Sequence, residues 1–148
     1  MKKKPLAMLL IGSCVAFSLM GCSSSKSYTF DVQTGDKVEV TMDTSDGYSM
    51  DFKDNLNIYL DDELQMSGVF ITEEQYEEYE DVIKQDSKAE LIEKDEKDNL
   101  EYLHWKYDDE EYNYAIKIED SDTGVLLGSL ISEEAAQECF NRLSFDIE

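Results

Sequence analysis

Leu100-Glu101-Tyr102-Leu103-His104-Trp105-Lys106-Tyr107, Tyr112-Asn113-Tyr114-Ala115-Ile116-Lys117-Ile118 and Val125-Leu126-Leu127-Gly128-Ser129-Leu130-Ile131 are three apolar runs in close succession. Asp, Glu, Ser and Gly separate them, which is turn chemistry. Runs of seven or eight residues rich in Tyr, Ile, Val and Trp predict β-strands. Separators this short leave no room for a crossover, so the strands form an antiparallel meander. In the last run Leu126, Gly128 and Leu130 alternate with Val125, Leu127 and Ile131, apolar on both faces. A sheet covered on both sides is the expected result.

Reading outward, Ala89 to Lys94 adds a fourth strand to this meander. Before it the period changes from two to 3.6. Thr72-Glu73-Glu74-Gln75 has the form of a capping box, and Tyr76, Tyr79, Val82 and Ile83 share one helical face. Further upstream, Tyr28–Val32, Thr34-Gly35-Asp36 and Lys37–Met42 predict a hairpin, with Tyr48–Phe52 returning as a third strand. Leu56, Ile58 and Leu60 mark another strand, and residues 66–71 the next. Downstream, Ser132 caps a helix whose apolar face is Ala135, Ala136, Cys139, Phe140 and Leu143. Ser144 to Ile147 closes the chain as a short strand.

This order predicts an α+β fold: an antiparallel β-sheet with two helices packed on it, the double-sided strands suggesting an α/β/α sandwich. An early hairpin, a first helix, a meander and the closing Ser132-Glu133-Glu134-Ala135 to Phe140-Asn141-Arg142-Leu143-Ser144-Phe145 resemble the PsbP-like family. The resemblance covers about residues 28–147. It implies an adaptor or assembly role, binding rather than catalysis, and maps no functional residue onto this chain.

The N-terminus has a separate purpose. Lys2, Lys3 and Lys4 precede an uncharged apolar run from Leu6 to Met20. As a helix, 15 residues rise about 22 Å, short of a roughly 30 Å hydrocarbon core. Leu19-Met20-Gly21-Cys22 then resembles the lipobox of bacterial lipoproteins, with Met20 bulkier than the usual small residue. The resemblance implies diacylglyceryl transfer to the Cys22 thiol and cleavage before it. An uncleaved signal anchor, or an ordinary secreted protein with a chance Gly-Cys, is the alternative. The expected organisation is a signal peptide over 1–21, a lipidated Cys and tether over 22–27, and a single domain over 28–148. Two acyl chains, palmitate among them, give stable anchoring where one does not. The protein is therefore expected at the cell membrane or outer membrane, facing away from the cytoplasm.

Removing 21 of the 148 residues takes three lysines and no acid, leaving ten basic against 35 acidic residues. The mature charge is −25, and a sequence pI near 4.1 argues against nucleic acid, which needs a basic stripe. Hydrophobic residues at 41% exclude a disordered acidic tail. One His and three Cys, of which Cys14 leaves with the signal, nearly exclude Cys/His zinc sites. Cys139 is then the only thiol besides Cys22, so no internal disulfide is available.

Every Ser-His or Cys-His mechanism must pass through His104, the sole imidazole. Alternation places Tyr102, His104 and Lys106 on one face of their strand and Leu103, Trp105 and Tyr107 on the other. The functional reading is a binding surface of Tyr102, His104, Tyr107, Tyr112 and Tyr114, since Tyr suits recognition. The structural reading is ordinary sheet filling, with Trp105 in the core and His104 half-exposed. Cys139 lies late on an apolar helical stripe among acids, which favours an inert buried thiol. The acidic loops Asp43–Gly47, Asp61–Glu63, Asp95–Asp98 and Asp120–Gly124 lack the EF-hand order and read as solvated turns. No phosphate loop, Gly-x-Ser-x-Gly, CxxC or HExxH occurs.

The sequence thus predicts no catalytic residue, no cofactor and no metal site. It predicts a lipid-anchored, non-enzymatic binding module whose partners are the membrane, through Cys22, and a basic or neutral protein. An acidic inhibitor or immunity-type lipoprotein neutralising a basic toxin or lytic enzyme is the first alternative. A hydrolase using acidic residues is the second.

Overall fold

The computed structural model describes residues 24–148, together with the backbone of 12–17. The lipobox residues Leu19, Met20, Gly21 and Cys22 lie outside the described residues. Among the described residues eleven strands and two α-helices follow in chain order: β1 (Gly12–Phe17), β2 (Ser25–Asp31), β3 (Lys37–Asp43), β4 (Tyr48–Lys53), β5 (Asn55–Leu60), β6 (Glu63–Thr72), α1 (Glu73–Gln85), β7 (Ala89–Lys97), β8 (Leu100–Tyr107), β9 (Glu111–Ile118), β10 (Thr123–Ser129), α2 (Glu133–Asn141) and β11 (Leu143–Ile147). The fold is α+β, and all its strand pairs are antiparallel.

Two sheets form. The larger has the order β4-β5-β6-β10-β9-β8-β7, and the smaller β1-β2-β3-β11. The expected meander is present as β7 to β10. The expected third strand of the first hairpin is corrected: β4 does not return beside β3 but opens the large sheet. The chain swings across at Ser45–Gly47, where Asp46 and Gly47 take φ of 60° and 89°. The place beside β3 goes to β11 instead, with Phe145 opposite Val40.

The large sheet is covered on both faces, as its double-sided strands require. On one face α1 packs Tyr76 and Ile83 against Ile71, Leu103, Trp105 and Ala115. The other face carries the main core, closed by the small sheet (Phe30, Val38, Val40, Met42) and by α2 (Ala136, Cys139, Phe140). Neighbours along one strand therefore serve different cores: Phe70 the main one, Ile71 the helical one. A fully buried side chain of this size contributes roughly 1.5–3 kcal/mol, which is why both faces stay covered.

The capping box of α1 closes in both directions. The Gln75 N–H donates to Thr72 Oγ1 at 3.0 Å, and the Thr72 N–H donates to Gln75 Oε1 at 2.9 Å. Ser132 caps α2 by accepting from the Ala135 N–H at 3.0 Å. Strand β10 ends at Ser129, two residues before the expected Ile131. There the Ile131 N–H turns to the Ser129 hydroxyl at 3.2 Å, leaving Leu130 75% exposed and Ile131 49% exposed.

The acidic loops have a backbone role. Asp46, Asp54, Asp61, Asp62, Asp98, Asp108, Asp109 and Asp120 all take positive φ. Aspartate tolerates this region better than most L-residues because its short carboxylate bonds the nearby backbone. Asp61 and Asp62, consecutive at φ 49° and 68°, form the two-residue turn that joins β5 to β6. Gly124 is set by space rather than by φ: a methyl there would strike the Ile116 carbonyl oxygen and crowd Ile71 Cγ1 at 3.1 Å. Gly124→Ala is expected to cost about 1–3 kcal/mol, read as a lower midpoint in chemical denaturation.

Candidate functional site

The five residues of the sequence-predicted binding surface do not form one exposed face. Tyr102, His104 and Tyr114 are buried, His104 completely. Tyr107 and Tyr112 are half-buried, Tyr112 against the main core. The alternation along β8 holds as expected. What it could not show is that α2 lies over the Tyr102-His104 face, so this face is interior rather than surface.

Beneath α2 the rings form a column. His104 stacks on Tyr114 with centroids 4.1 Å apart and planes 8° apart. Tyr114 stacks in turn on Phe140 of α2 at 4.2 Å and 10°. Tyr102 closes the side, 4.7 Å from Phe140 and tilted by 55°. The strand register makes the lower contact, since β8 and β9 place His104 directly opposite Tyr114. The helix makes the upper one through Phe140.

Among the described residues neither His104 Nδ1 nor Nε2 has a hydrogen-bond partner. A buried polar atom without a partner costs about 1–3 kcal/mol. Burial holds the imidazole below its ordinary range, opposed more weakly by the carboxylates of Glu133 and Glu93. Neutral and enclosed, this ring is poorly placed to serve as a base for an outside substrate. Burial, with Glu138 adding to it, pushes the Cys139 thiol up to about 12. That removes the thiolate a nucleophile needs.

Two cations pin the far end of α2, and sequence reasoning singled out neither. Lys97 Nζ donates to the carbonyls of Phe140 and Asn141 in the last turn of α2 and of Leu143 at the start of β11, each at 3.3 Å. Arg142 reaches further. It donates to the Ser45 carbonyl at 3.0 Å, pairs with Asp46 at 3.1 Å and Glu138 at 3.0 Å, and lies 3.9 Å over the Tyr48 ring. The available signal was its rarity, since Arg142 is the only arginine in the chain.

An open cavity of about 540 Å³ lies between Ser24 and Ser25 on one side and Arg142 and Lys97 on the other. A second, of about 430 Å³, is lined by Thr34, Thr72, Glu73, Glu74, Glu77 and Asp122. Among the described residues no group of three or more His, Cys, Asp or Glu is arranged to hold a metal ion. No helix among them is long and apolar enough to cross a membrane.

Other lysines are held in acidic company on the surface. Lys94 pairs with Glu80 at 2.6 Å, Lys117 with Glu73 at 2.7 Å, and Lys106 with Asp109 at 3.1 Å. With these cations engaged internally, the field the domain presents outward is that of its surplus acids. No family model, curated protein or solved structure matches this chain.

Proposed function

We propose that this protein is a lipid-anchored, extracytoplasmic binding module, attached through Cys22 and non-enzymatic, whose partner is a basic protein surface. The observation that carries the anchor is the ordered sequence Lys2–Lys4, Leu6–Met20, Leu19-Met20-Gly21-Cys22. The start of β2 at Ser25 is in keeping with it. Only Ser23 and Ser24 separate Cys22 from the folded chain, a reach of roughly 10 Å. Cleavage before Cys22 also takes β1 away and leaves β2 as the edge of a three-stranded sheet.

The binding reading rests on the surplus of acids and on the engagement of the lysines with them. Such a field draws basic partners in and repels anions, and it weakens with salt. The burial of His104 and Cys139 favours binding over nucleophilic catalysis. The order of elements, hairpin, first helix, meander, closing helix and strand, is the one on which the PsbP-like resemblance rests.

Two measurements test this. Cells expressing Cys22→Ser are expected to lose palmitate labelling and to release the protein from the membrane fraction. A membrane-bound, still labelled variant would overturn the anchor. The full chain in mild detergent is expected to retain a basic envelope protein at low salt and to lose it at high salt. Retention of only neutral or acidic partners, indifferent to salt, would overturn the electrostatic reading.

A further inference from the structure

We propose that His104 makes the seat of α2 an acid-sensitive latch: a proton taken up by the imidazole forces α2 from its seat on β6, β9 and β10 and bares the aromatic face of Tyr102 and Tyr114. Three observations carry this. His104 is fully buried and neither ring nitrogen has a partner among the described residues. Its ring is the base of the column that Phe140 of α2 completes through Tyr114. The helix itself is short, nine residues, and cannot persist without its seat.

The groups facing the imidazole decide what a proton would do. From β7 there is Glu93, opposite His104 in register. From β9 there is Tyr114, and along β8 itself Tyr102 and Lys106, the latter paired to Glu90 and Asp109. From α2 there is Glu133, in its first turn, while Cys139 acts on Tyr114 rather than on the imidazole. Tyr102, Tyr114 and Cys139 are all held neutral by burial. Only Glu93 and Glu133 could answer a positive charge, and neither is hydrogen-bonded to the ring. An imidazolium needs acceptors for two N–H groups and finds none in place. Unpaired buried charge is among the costliest arrangements in a protein, so the helix yields before the charge is held.

The sign follows from burial, which lowers the folded imidazole below its ordinary value of 6.5. Above about pH 6.5 both folded and unfolded rings are neutral and the closed seat has its full stability. As pH falls below that value the open form binds the proton and the closed form does not. Closure therefore weakens progressively until the folded ring titrates as well.

The test uses the full chain in mild detergent between pH 7.5 and 4.5. As the chain has one histidine, its imidazole resonances are read without ambiguity. Amide hydrogen exchange across 132–141, corrected for its intrinsic pH dependence, is followed in the same samples. In the wild type, exchange of α2 is expected to rise about tenfold as the imidazole titrates, with the amides of β5 and β6 still protected. His104→Phe keeps the stack and removes the proton site, so α2 is expected to stay closed over the same range. An imidazole that titrates while α2 remains protected would overturn the latch. So would a His104→Phe protein that opens at the same pH as the wild type. Should His104→Phe fail to fold, coincidence of the imidazole and α2 midpoints in the wild type decides alone.

Discussion

Phe140→Ala is expected to destabilise the protein by about 3–5 kcal/mol, measured as a fall in the midpoint of urea denaturation. Domains of this kind hold about 5–15 kcal/mol in total, so much of the margin goes with one side chain. The reason is the position of Phe140 rather than its size alone. It is 3% exposed, stacks on Tyr114 and touches Tyr102, and Lys97 sits 4.8 Å above its ring. Truncation opens a void in the main core and unseats the helix together. Phe140→Leu refills most of the volume without the stack and is expected to cost less than half as much. Equal losses for the two variants would show that aromatic geometry, not filled volume, is the larger contribution.

Arg142→Ala is expected to be the next most costly change, at about 2–4 kcal/mol by the same measurement. Its side chain is only 10% exposed, and it ties the end of α2 to the Ser45 carbonyl, Asp46, Glu138 and the Tyr48 ring. Removal leaves the Ser45 carbonyl without this donor and strips the face of Tyr48. Arg142→Lys keeps the charge but has a single compact ammonium in place of a planar fork. It is expected to recover less than half of the loss. Full recovery by lysine would mean that charge alone accounts for the contribution, leaving the fork without a role.

The chain announces most of its elements. The Thr72-Glu73-Glu74-Gln75 box, the Ser132 cap and the three runs from Leu100 to Ile131 are local signals, written within a few residues of the structure they cause. Strand pairing across 30 or 100 residues has no such local mark. Nothing local therefore separates β4, which opens the large sheet, from a third strand of the first hairpin, nor ends the ladder of β10 at Ser129 ahead of the apolar Leu130 and Ile131.

The candidate site shows the same division more sharply. Alternation along β8 correctly separated Tyr102 and His104 from Leu103 and Trp105, because side chains of a strand must point to opposite faces. Which face meets solvent is not a property of the strand. It depends on α2, some 30 residues further on, folding back so that Phe140 meets Tyr114. Likewise the aspartates of the loops are visible as turn residues, whereas the reach of Arg142 from α2 to Ser45 and Asp46 spans nearly 100 positions. The period of the chain sets which side chains travel together. Only the packing of distant elements decides whether a group so assembled becomes a surface or, as for His104, a buried ring with both nitrogens unsatisfied.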